Sequence, residues 1–292
     1  MHNGEWSLIS FTLLSQLSVG LVLALGFVYF MHQSLFSGFT AGLSLRSPEL
    51  IILILIVFAT LISFLHLGSP LHSYHSLNNL RGSWISREIL TLFMFGFGIL
   101  LFLISRSMDW PVSLSRFFMI FSMISGILLV LAMSGIYMIK TVPSWNTFFT
   151  PLSFIGSAFL LSSVGMIMLI NFLNSDSMGQ TFLSNIFLFM LIVVIIILFA
   201  SGYHHYQLSR YKFTGIEQME YNHGVFFILF VIRMVLLLIA MFGLIYLIKI
   251  ISRPGMSFEE FKLIFYVISF IILSAEVIGR YQFYISYFRV GV

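Results

Sequence analysis

The run Leu183-Ser184-Asn185-Ile186-Phe187-Leu188-Phe189-Met190-Leu191-Ile192-Val193-Val194-Ile195-Ile196-Ile197-Leu198-Phe199-Ala200-Ser201-Gly202 decides the fold. It contains no Asp, Glu, Lys or Arg. As a helix rising ~1.5 Å per residue, it matches the ~30 Å hydrocarbon core of a bilayer. Its apolar residues are continuous rather than alternating, so it is not a barrel strand. Comparable runs can be drawn at 7–31, 48–67, 86–105, 113–138, 150–173, 181–202, 224–249 and 259–284. Pro48, Pro70, Pro111, Pro143, Pro151 and Pro254 all fall at the ends of these runs or between them, and none breaks a run internally. The expected fold is therefore an all-α integral membrane protein, a bundle of about eight transmembrane helices. It forms a single multi-pass domain over residues 1–292, with room for two four-helix bundles.

Composition agrees. The chain is 60% hydrophobic and 8% charged, against about 25% charged residues in a soluble domain. The formal charge of +4 rests on few groups and suits contact with anionic membrane lipid. No basic stripe interleaved with aromatics points to nucleic acid. Cysteine is absent, which excludes disulfides, thiolate-bound iron–sulfur clusters and thiolate zinc sites within this chain. The first run lacks the basic start of a secretory signal and has full span length, so it reads as a retained helix.

An even number of spans puts both termini on one side, here side A. The longer polar loops 67–87, 139–149 and 203–223 fall on that side. Lys and Arg are nearly balanced between the two sides, so the charge rule for orientation does not choose between them.

Ionisable groups at membrane depth are costly and mark functional candidates. His66 ends the second span and Glu88 opens the third, both on side A. A neutral imidazole and a carboxylate suit the removal of protons from a lipid-soluble hydroquinone. The competing reading makes His66 an interfacial histidine and Glu88 a helix-start acid, with Ser83 or Ser86 as the cap. Arg233 lies roughly 15 Å into the seventh span. It is expected to form a structural ion pair with Glu276, near Arg280, because an unpaired charge there is expensive. His204 and His205 are read as loop residues, which leaves no facing pair of helix histidines for a haem. No haem or metal is expected in the chain.

Several stretches resemble the membrane anchor subunits of bacterial dimethyl sulfoxide reductases. They are Asn3-Gly4-Glu5-Trp6-Ser7-Leu8, Phe64-Leu65-His66-Leu67-Gly68-Ser69-Pro70, Ser76-Leu77-Asn78 with Glu88, Thr141-Val142-Pro143-Ser144-Trp145 with Thr150-Pro151, and Glu276-Val277-Ile278-Gly279-Arg280 with Phe283-Tyr284. They run from the first span to the last, and the His-Leu-Gly-Ser-Pro block is the most specific. The resemblance implies an eight-helix anchor in the bacterial inner membrane with both termini periplasmic. It implies oxidation of menaquinol as substrate and delivery of the electrons to an iron–sulfur subunit. That subunit would feed a molybdenum-cofactor catalytic subunit, the three chains forming a heterotrimer that reduces S- or N-oxides. It also implies a menaquinol site at His66, Gly68, His72 and Glu88, with His66 and Glu88 handling protons. His72 stands where the family tends to have Arg. The rival readings are an anchor for a tetrathionate, polysulfide or nitrite reductase, a purely structural anchor, and a small-solute transporter. Discontinuous helices and repeat symmetry, expected of the last, are not evident.

Overall fold

The computed structural model describes residues 3–40, 44–65, 78–173, 179–210, 224–253 and 255–287. Among them the elements are all helical: α1 (Asn3–Met31), α2 (Gln33–Ser37), α3 (Pro48–Ser63), α4 (Trp84–Ser107), α5 (Val112–Tyr137), α6 (Phe149–Phe172), α7 (Gln180–Arg210), α8 (Gly224–Ile251) and α9 (Phe258–Ile285). Seven of these, α1 and α4 to α9, are long and apolar enough to cross a membrane. The chain is a multi-pass membrane protein. The remaining expected span, 48–67, is represented by α3, whose 16 residues reach about 24 Å. Its described continuation, Phe64 and Leu65, leaves the helix as a turn.

Local sequence explains the helix ends. Ser47, Pro48 and Glu49 start α3: Ser47 Oγ accepts the Leu50 N–H, Pro48 occupies the first turn, and Glu49 lies at the positive end of the helix. Asp109 (φ 50°) sits in the short link that separates α4 from α5, followed by Trp110 and Pro111. Many buried serines and threonines inside the helices return their hydroxyls to the preceding turn, as Ser122 does to Phe118 O (2.8 Å) and Ser269 to Phe265 O (2.8 Å). A hydroxyl satisfied within its own helix can be buried at little cost.

The chain divides into two compact units: residues 1–136 with 157–178, and 137–156 with 179–292. In the first, α1 packs on α3 and α3 on α4. A Cβ at Gly20 of α1 would meet Ser162 Oγ at 2.6 Å, so a small residue is needed where α1 crosses α6. In the second, α8 packs on both α7 and α9. There Gly243 plays the same part: a Cβ would lie 2.7 Å from Ile268. Fully buried Phe95 and Phe102 fill the first interior, and Phe187, Phe261 and Phe265 the second.

Candidate functional site

The α4 entrance is built by its own short-range chemistry. Asn79 Oδ1 accepts the Gly82 N–H (3.2 Å) and Ser83 N donates to Asn79 O (3.1 Å), closing a turn. Ser83, in extended conformation, caps the helix by accepting from Ser86 N (3.3 Å). The cap is thus Ser83, not Ser86. Arg87 folds back over this turn: Nε donates to Leu80 O (2.9 Å), Nη2 to Arg81 O (2.8 Å), and the guanidinium lies 4.2 Å from the Trp84 ring centre. Trp84 in turn packs against bare backbone of α5, since a Cβ at Gly135 would come within 2.6 Å of the indole.

This arrangement delivers Glu88 to the second turn of α4, half-buried. The first turn of α4 contains no acid, so Glu88 is not the dipole-favoured residue at the helix start that the competing reading required. Nearby Thr91 bonds to the backbone oxygens of Arg87 (2.7 Å) and Glu88 (3.1 Å), not to the carboxylate. Among the described residues the Glu88 side chain has no hydrogen-bond or ion-pair partner. The rest of the expected menaquinol site, His66, Gly68 and His72, lies outside the described residues.

The expected pairing of Arg233 with Glu276 is present. Arg233 Nη2 lies 3.9 Å from Glu276 Oε1, and both side chains are buried. Gly279 makes room, because a Cβ there would collide with the Arg233 guanidinium. One turn after Glu276, Arg280 lies 3.8 Å from the Phe154 ring centre, a cation–π contact shielded from water. Around this cluster Tyr137 and Tyr284 share a hydroxyl contact (3.2 Å), Trp145 Nε1 donates to Phe283 O (2.8 Å) and Ser144 Oγ to Ser286 O (2.7 Å). These contacts tie together part of the polar interior of the second unit, while Thr147 Oγ1, Ser201 Oγ and His204 Nδ1 are buried without a hydrogen-bond partner among the described residues.

One sequence expectation changes. His204 and His205 are not in a loop: α7 continues through Arg210, and both belong to its final turns. His204 stacks on Phe149 (centroids 4.4 Å, 12°) and His205 on Phe230 (4.0 Å, 10°). Together with Ser201, Arg233 and Gln282 they border a cavity of about 20 Å³. The structure also contains a buried ion pair that the sequence does not single out. Glu49, almost fully buried, pairs with Arg106 of α4, whose guanidinium lies 4.3 Å from the Phe36 ring centre. The Ser-Pro-Glu start of α3 was the available signal, though nothing in it specified burial.

The model of the family described as DMSO reductase anchor subunit (DmsC) matches residues 1–285. Anaerobic dimethyl sulfoxide reductase chain YnfH of Escherichia coli (strain K12) is 34% identical over 158 residues, 53% of this chain and 54% of that protein. An anaerobic dimethyl sulfoxide reductase chain of Haemophilus influenzae (strain ATCC 51907 / DSM 11121 / KW20 / Rd) is 31% identical over 154 residues, 51% and 53% of the two proteins. A second such chain of Escherichia coli (strain K12) is 29% identical over 160 residues, 53% and 54%. The alignments span about half the length of these relatives. With the family model matched along almost the whole sequence, the chain belongs to the DMSO reductase anchor subunit family.

Proposed function

We propose that this chain is the menaquinol-oxidising membrane anchor of a molybdenum-cofactor reductase. Menaquinol binds against His66, Gly68, His72 and Glu88 and gives up two electrons and two protons. His66 and Glu88 take the protons, and Gly68 allows close approach of the backbone. The electrons pass to an iron–sulfur subunit docked on the polar loops of side A. From there they reach a molybdenum-cofactor catalytic subunit, where an S- or N-oxide takes them up with two protons and releases water. The names of the relatives favour dimethyl sulfoxide as the oxide. The complex sits in the bacterial inner membrane with both termini of this chain periplasmic. The side A loops include 67–87, which runs between His66 and Glu88.

The observation that carries this reading is the Glu88 carboxylate, half-buried in a membrane helix whose entrance turn is fixed by Ser83 and Arg87, with its own charge left unmatched among the described residues. A carboxylate held so is placed to accept a proton rather than to complete an ion pair. The test is a pair of assays on the same membranes, one driven by a menaquinol analogue and one by a reduced dye that bypasses the anchor. His66→Ala should lose the first rate and keep the second. Normal menaquinol-driven rates in both His66→Ala and Glu88→Gln would refute the site. Reporter fusions at the C-terminus test the orientation, and activity confined to the cytoplasm would overturn it.

A further inference from the structure

The second unit has a cleft that is separate from the proposed menaquinol residues and borders the side A segments on which the iron–sulfur subunit is proposed to dock. Its volume is about 860 Å³, and it lies between the segment entering α6 and the last turns of α7. Its polar wall includes Lys140, Asn146, Thr147, His204 and Gln207, while Phe149, Leu152 and Ala200 provide apolar surface. The size is that of a pocket for a small organic ligand.

Four observations narrow the ligand. The lining residues include one lysine and no Asp or Glu, so the fixed charge favours an anion. Thr147 Oγ1 and His204 Nδ1 are buried and have no hydrogen-bond partner among the described residues. His204 is only 8% exposed. Unpaired buried polar atoms beside a cleft mark places where a guest would supply the missing bonds. These groups are also held in place. The His204 ring is stacked on Phe149, and Thr147 N donates to Trp145 O (2.9 Å). Finally, Leu188, Ile192, Ile196, Phe199 and Tyr203 are exposed at three- and four-residue spacing along α7, an apolar stripe that ends at the cleft.

We propose that this cleft holds the headgroup of an anionic phospholipid. Lys140 faces the phosphate, Thr147 and His204 hydrogen-bond its oxygens or the neighbouring glycerol, and the acyl chains run along the α7 stripe. A free phosphate ion would use the cation and the hydrogen-bonding groups but leave the stripe and most of the volume unused. A neutral quinone ring would leave the cation unmatched.

The experiment uses the full chain in its native complex, delipidated and reconstituted in phosphatidylcholine nanodiscs containing a few per cent phosphatidylglycerol. Bound lipid is read by native mass spectrometry after release. Phosphatidylglycerol should be retained in preference to phosphatidylcholine. Lys140→Gln should weaken that retention roughly fivefold, the effect of one surface cation on an anionic lipid. Thr147→Val should weaken it as well, while Lys249→Gln, at the far end of α8, should not. Lys140 is exposed, so its replacement leaves the fold intact. Unselective retention of phosphatidylcholine, or unchanged retention in both Lys140→Gln and Thr147→Val, would overturn the proposal. So would displacement of the lipid by millimolar inorganic phosphate, which would make the site one for the free ion. Displacement by a menaquinone analogue would equally overturn it and make the cleft a quinone site.

Discussion

Glu88 and Glu276 are both carboxylates inside membrane helices, one in each unit, and they are treated oppositely. Glu276 is buried, lies 3.9 Å from Arg233 and has Arg280 one turn away. Glu88 is half-buried, and no cation or donor among the described residues meets its carboxylate, although Arg87 is its neighbour in sequence. Arg87 is instead committed to the carbonyls of Leu80 and Arg81. A charge in a membrane must be matched or used. The second unit matches its carboxylate within the fold, whereas the first leaves one without a counter-charge among the described residues, as the proposed proton-accepting role requires.

The strongest way to break this contrast is to neutralise each acid in turn. Glu88→Gln keeps the shape of the side chain but cannot take a proton. Menaquinol-driven turnover should fall by roughly 10²–10⁴, the usual worth of a positioned general base. Dye-driven turnover should stay at the parental level, with normal amounts of complex in the membrane. His66→Arg should be at least as damaging to the menaquinol rate, since a fixed cation replaces a proton acceptor. If Glu88→Gln instead lowered both rates together, Glu88 would be a structural acid like Glu276 and the contrast would vanish.

Glu276→Leu should do what Glu88→Gln does not. It leaves Arg233 buried without its counter-charge, at a cost of about 3–5 kcal/mol. The amount of assembled complex should drop, and both assays should fall in proportion. Arg233→Leu combined with Glu276→Leu should recover much of the lost assembly, because an apolar pair of similar volume replaces a buried ion pair at little cost. Quantifying the complex in solubilised membranes separates these outcomes. A double variant as poorly assembled as Glu276→Leu would mean that the acid serves chiefly Arg280.

Much of this contrast was legible in the sequence. Apolar run length located the spans to within a few residues, since bilayer thickness and helical rise leave little freedom. The pairing of Arg233 with Glu276 followed from depth along two neighbouring spans and the cost of an isolated charge. Three features were not legible. Polarity predicts that the span ends at 202, yet α7 continues through Arg210, because Tyr, His and Gln remain competent helix formers beyond the apolar run. The burial of Glu49 could not be read because a Ser-Pro-Glu start looks the same at an exposed helix end. The cleft beside His204 depends on lateral packing of α6 and α7, and spacing along one chain does not encode that.

Gly279→Ala sharpens the comparison at smaller scale. The added Cβ collides with the Arg233 guanidinium, so the cation must shift from its position beside Glu276. Overpacking of this kind typically costs about 1–3 kcal/mol. The thermal midpoint of the purified complex should fall, while the ratio of menaquinol-driven to dye-driven turnover stays constant. In the first unit, Gly135→Ala presses on Trp84 at the α4 entrance and should disturb that ratio as well. Equal ratios in the two variants would dissociate the α4 entrance from quinol chemistry.

The smallest effect expected concerns the cap itself. Ser83 Oγ accepts from Ser86 N at 3.3 Å, and removing such a bond costs about 1 kcal/mol. The complex should therefore assemble normally with Ser83→Ala, and the overall thermal midpoint should hardly move, because α4 is secured along its length by buried Phe95, Ile99, Phe102 and Leu103. The loss should be confined to the start of the helix, where Arg87 still anchors the preceding carbonyls but the orphan N–H of Ser86 has no acceptor. Hydrogen exchange across residues 84–88 should accelerate about fivefold, the population change equivalent to that free energy. Because Glu88 follows directly on that first turn, the menaquinol-driven rate should decline modestly while the dye-driven rate does not, and Ser83→Thr should restore both exchange and rate. Faster exchange with an unchanged menaquinol rate would show that Glu88 does not depend on a fixed first turn. Unchanged exchange would show that the Arg87 clamp alone holds the entrance.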